Sequence, residues 1–137
     1  MASNRYPLLS QYLHGYAVSF EVTFQGDLDF RNWVQDFGIF SRSNNKIENK
    51  TPKEYFNWLL DHTVVIAEDD PKLDIFKLMD DEKIIQLRIL PQVGCERFAE
   101  FLFKKINDFS KLETNNRVRV TKVTVFEHEK NSASYEE

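Results

Sequence analysis

Residues 16–24 read Tyr-Ala-Val-Ser-Phe-Glu-Val-Thr-Phe, so that Tyr16, Val18, Phe20, Val22 and Phe24 alternate with Ala17, Ser19, Glu21 and Thr23. Successive side chains of a strand point to opposite faces, and this period of two in residue size predicts a strand with one buried face. Gly26-Asp27 then reads as a turn, and Phe30 to Phe37 returns with looser alternation as the expected hairpin partner.

Further along, the polar stretch Ser41 to Lys50 reads as a loop. Thr51 and Glu54 have the spacing of a capping box, and Pro52 stands where a first helical residue tolerates proline. A short helix is therefore predicted through Tyr55, Phe56, Leu59 and Leu60, with Asp61-His62 at its end. Ile75 to Leu78 and Ile84 to Leu90 flank Asp80-Asp81-Glu82 and suggest a second, smaller hairpin, the first arm being alternatively one helical turn. After Pro91 and Gly94, Phe98, Ala99, Leu102, Phe103, Ile106 and Phe109 recur at three and four residues and mark an amphipathic helix. In Arg117 to Glu127, Val118 and Val120 keep one phase while Val123, Val125 and Glu127 keep the other, which predicts a bulge near Thr121-Lys122. The polar tail, Asn131 to Glu137, is expected to fray.

The 137 residues fit a single domain, 1–137, and the 42% hydrophobic content, with twelve Phe, five Tyr and two Trp, suits a packed core. A net charge of −4 without clustered Lys and Arg argues against a nucleic-acid surface. No window approaches the roughly 20 apolar residues of a membrane span, and MASNRYPLLS lacks the parts of a signal peptide, so a soluble, cytoplasmic protein is expected. The single cysteine, Cys95, has no internal disulfide partner, and no CxxC spacing exists, so a metal would need His and carboxylate ligands.

Three places carry candidate chemistry. Asp61 can orient the imidazole of His62 for proton transfer, although such a pair also serves as a helix cap or a charge at the negative end of the dipole. Glu127 shares the phase of Val123 and Val125, and a carboxylate there can accept paired hydrogen bonds from the N–H and amino group of a pterin or guanine. The alternative is a strand that has simply reached solvent. Glu96 opens the second helix, where acidic residues commonly complement the dipole. The three histidines, His14, His62 and His128, are scattered along the chain.

In chain order, these pieces resemble the 6-pyruvoyltetrahydropterin synthase family, which includes the 6-carboxytetrahydropterin synthases of queuosine biosynthesis. The family's His-Gly-His, alternating strand and Gly resemble His14-Gly15-Tyr16 through Gly26, and its Val-x-Asp-Phe is similar to Val34-Gln35-Asp36-Phe37. Its Leu-Asp-His looks like Leu60-Asp61-His62, and its Pro-Thr-x-Glu-Asn-x-Ala helix start resembles Val93 to Ala99. The closing Val-x-Val-x-Glu strand with a Ser-Ala-x-Tyr tail is similar to Val123 to Glu127 and Ser132 to Tyr135.

The resemblance implies an α+β T-fold: an antiparallel sheet with two helices on one face, assembled as a homo-oligomeric trimer or hexamer around a β-barrel, with sites between subunits. It implies that Glu127 anchors a pterin ring of the dihydroneopterin triphosphate type, that Glu96 sits nearby, and that Asp61 and His62 belong to a proton relay. The family's lyase reaction eliminates triphosphate with zinc polarising side-chain oxygens. Of the three zinc histidines only His14 has a counterpart, because Tyr16 takes the second place, and Ser10 stands at the family's cysteine. Zinc is therefore expected to be absent or altered. Three readings stay open: a pterin-binding homologue with lost or changed chemistry, a lyase completed by a neighbouring subunit, and a non-catalytic oligomeric interaction protein.

Overall fold

A computed structural model describes residues 17–128 and 131–137. The elements run β1 (Ser19–Gly26), α1 (Ile39–Arg42), α2 (Pro52–Leu60), β2 (Val64–Ala67), α3 (Leu73–Asp81), β3 (Leu87–Leu90), α4 (Cys95–Glu113), β4 (Val118–His128) and β5 (Asn131–Glu136). Strands β1, β4 and β5 form an antiparallel sheet with β4 in the middle, and β2 pairs with β3 in parallel. Ser10, His14 and Tyr16 lie outside the described residues.

The sheet has one buried face, as the alternation in β1 predicts. Phe20, Val22 and Phe24 are half-buried against the core, while Glu21 and Thr23 are exposed. In β4 the register slips where Thr23 faces Lys122 and the next residue, Phe24, faces Val120, leaving Thr121 unpaired. That bulge brings Val118 and Val120 onto the same face as Val123 and Val125, and none of the four is more than 1% exposed. Helix α4 lies across this face with Phe98, Ala99, Leu102, Phe103, Ile106 and Phe109 buried. Helix α2 packs beside it through Tyr55 and Leu59, and the Phe20 and Phe56 rings meet edge-on at 5.5 Å. The two helices expected on one face are thus α2 and α4, and the predicted capping box at Thr51 and Glu54 is formed in both directions. At the other end of β1, Gly26 allows close approach to β4: a Cβ there would lie 2.5 Å from the Arg117 carbonyl oxygen.

Four expectations are corrected. Phe30 to Phe37 is not a strand. The Asp29 carboxylate accepts the backbone N–H groups of Arg31 at 2.8 Å and Trp33 at 3.1 Å, and Asn32 sits at φ 61°. This local turn competes with strand pairing. Ile75 to Leu78 is not a hairpin arm but takes the helical alternative, extended to the full helix α3, because Leu73, Phe76 and Met79 share a helical face. Its supposed partner shortens to β3 and pairs in parallel with β2, a strand the sequence reading missed. The tail does not fray either: β5 pairs with β4 from Asn131 to Glu136, and Tyr135 meets the Phe103 ring at 5.0 Å.

Candidate functional site

The end of β4 positions Glu127. Phe126 lies opposite Ser132 and His128 opposite Asn131, so Glu127 is the extra residue of a second bulge. Bulges re-aim side chains, and here the half-buried Glu127 borders a cavity of about 160 Å³. Its walls are apolar: Val18 before β1, Leu60 at the end of α2, Val65 of β2, Phe98 of α4 and Val125. The Asn131 side-chain amide donates to Glu127 Oε2 at 2.6 Å and holds the carboxylate from across the β4–β5 connection.

Gly94 forms another wall. It precedes α4 at φ 114° and ψ 152°, a conformation essentially open only to glycine, and a Cβ there would meet no atom within 4 Å. The chain thus presents bare backbone beside the carboxylate. One residue on, the Cys95 thiol donates to the Val125 carbonyl at 3.3 Å. Its pKa is raised, first by burial and then by the neighbouring carboxylates of Glu127 and Glu96. Cys95 is accordingly a neutral, buried thiol and not an activated nucleophile. Glu96 itself is exposed in the first turn of α4, near the helix dipole's positive end.

Asp61 caps α2 and borders a larger cavity of about 500 Å³ that also touches Phe20, Phe56 and Asn57. This cavity shares Val18 and Leu60 with the smaller one, so Asp61 and Glu127 stand on two cavities with common walls. His62 takes a left-handed conformation at φ 57° and borders a third cavity with Asp80, Lys83 and Gln86. Its Nδ1 lies 2.9 Å from Asp61 Oδ1, the side chains being 87% and 68% exposed. Geometry therefore pairs Asp61 with His62 and brings Glu96 and Glu127 to Cys95, but it does not set His62 beside Glu127.

Among the described residues, no group of three or more His, Cys, Asp or Glu side chains is arranged to hold a metal ion. Of the zinc ligands implied by the resemblance only His14 has a counterpart, and it lies outside the described residues. Val65 and Asn131 were missed by sequence reading. The run Val64-Val65-Ile66 is a β-branched signal for a short strand, whereas a single Asn in a polar tail carries none.

A family model described as 6-pyruvoyl tetrahydropterin synthase matches residues 3–137. No curated protein matches. The crystal structure of an uncharacterized protein from Wolinella succinogenes matches with a TM-score of 0.75 at 18% identity, covering 99% of this chain and 87% of that one. At that identity the likeness is one of fold. No helix among the described residues is long and apolar enough to cross a membrane.

Proposed function

Because this chain belongs to the 6-pyruvoyl tetrahydropterin synthase family, we propose that it binds a pterin at Glu127, with lyase chemistry lost or altered. The observation that carries this reading is a half-buried carboxylate, held by Asn131, at the mouth of an otherwise apolar cavity. An ionised carboxylate accepts two parallel hydrogen bonds, the pattern offered by the N–H and amino group of a pterin. At about 160 Å³ the cavity falls below the range of about 300–1,000 Å³ usual for drug-sized ligands, and it suits the flat ring alone. The pterin side chain extends past Val18 and Leu60 into the larger cavity, where Asp61 faces it.

In this reading Glu127 and Glu96 bind substrate, and Asp61 orients His62 as the remnant of a proton relay. The active assembly is a trimer or hexamer in the cytoplasm, with a neighbouring subunit closing the site. No step of this reading is routed through zinc. The exposure of His62, apart from Glu127, favours binding over turnover within one chain.

Calorimetric titration of the full chain with a reduced pterin tests the reading. Saturable binding is expected, with affinity reduced at least about tenfold in Glu127→Ala and folding retained. Unchanged affinity in that variant removes Glu127 from the role, and no binding to the parent leaves an interaction protein built on this fold.

A further inference from the structure

The larger cavity, of about 500 Å³, decides what substituent a ring held at Glu127 can carry. Its walls are chiefly apolar: Val18 before β1, Phe20 and Phe24 of β1, Phe40 of α1, Phe56 of α2 and Ile106 of α4. The four phenyl rings pack on the core yet remain only half-buried, so each keeps apolar surface that a ligand can cover.

Charge points the same way. Among the described residues lining the cavity, Lys53 is the one cation, and it shares the cavity with the carboxylate of Asp61. A triphosphate carries several negative charges, and phosphate sites meet them with arginine forks, lysines or the free N–H groups of a helix N-terminus. The N-terminus of α2 lies at this cavity through Pro52, which has no N–H to give. There Thr51 Oγ1 already accepts the Glu54 N–H at 3.3 Å, and the Glu54 carboxylate accepts the Thr51 N–H at 3.0 Å. Phosphate oxygens taken from water into a wall of phenyl rings would lose their hydration with little in return.

We propose that the ligand of this chain is a pterin whose ring substituent is uncharged and apolar, seated in the cavity lined by β1 and α2, and not the triphosphate ester implied by the family. This rests on pterin binding at Glu127, from which the substituent enters past Val18 and Leu60, the walls common to both cavities. It also accounts for altered chemistry. Elimination of triphosphate needs a triphosphate leaving group, and a ligand without one is bound but cannot undergo that step.

Titration of the full chain at low salt with pterin, 6-phenylpterin and dihydroneopterin triphosphate tests the assignment. 6-Phenylpterin is expected to bind at least about tenfold tighter than pterin, because its phenyl group leaves water, and the triphosphate more weakly than either. Phe56→Ala should remove most of the phenyl preference. That ring also meets Phe20 and Tyr55, so Asn57→Trp, at an exposed position of α2 on the same cavity, gives a second readout with the core untouched. It fills the space and should bring 6-phenylpterin to the affinity of pterin or below, with pterin binding and the melting temperature unchanged. No binding of pterin to the parent overturns the reading at Glu127 and this proposal together. Pterin binding with the triphosphate held as tightly or tighter, with no gain from the phenyl group, or with the phenyl preference kept in both variants, overturns this proposal alone.

Discussion

Helices α4 and α3 both carry apolar residues at helical spacing, yet eight residues of α4 are buried and none of α3 is. Helix α4 lies against the buried face of β4 and β5, whereas among the described residues α3 packs chiefly on the short strand β3 and leaves Ile75 and Leu78 exposed. Periodicity thus identifies a face, and whether that face leaves water depends on what stands opposite. The difference bears on function, because the Glu127 cavity takes walls from both regions: Gly94, Phe98 and Val125 from the packed one, Val65 from the sparse one. Regions with few buried apolar contacts open at low free energy, so the Val65 wall is the one suited to move when a ligand enters.

The contrast can be broken most directly at Leu102, which is 0% exposed beneath the sheet. Leu102→Ala is expected to cost about 2–5 kcal/mol, read from the urea midpoint at unchanged slope. A loss near zero would mean that α4 is no better packed than α3. Tyr55 gives an effect of intermediate size and a pH signature. Burial, with a smaller contribution from Glu48, pushes its phenol up to about 12, so the folded state favours the neutral ring. Its contribution is complete below the unfolded value of about 10 and is lost as pH rises toward 12, and Tyr55→Phe should remove a loss on the order of 2 kcal/mol over that window. Identical pH profiles for parent and variant would remove Tyr55 as the source. The smallest effect is expected on the sparse side: Leu78→Ser should change stability by no more than about 0.5 kcal/mol. A cost above about 2 kcal/mol would show that α3 is covered in solution.

Most of the packed region is legible in the sequence. Alternation in β1, the capping box of α2, the stripe of α4 and the phase break at Thr121 are local patterns, and each is realised. The sparse region was not legible. Four-residue strands such as β2 and β3 carry too few side chains to show a period, and their parallel pairing depends on the path through α3. Of the site, the phase of Glu127 with Val123 and Val125 was visible, while its bulge, its bond to Asn131 and the wall from Val65 were not. The burial of Gln35 gave no signal at all, because an amide between Val34 and Asp36 looks solvated until the loop folds over it.

The amino-acid order alone determined which faces of the main strand and helices are apolar, where α2 begins, and the family to which the chain belongs. Those properties reside in short-range spacing and in motif order. Tertiary structure decided that the tail completes the sheet, that His62 stands apart from Glu127, and that Gln35 is buried. Each of these depends on contacts between residues distant in the chain, and burial and pairing are properties of the neighbour as much as of the residue.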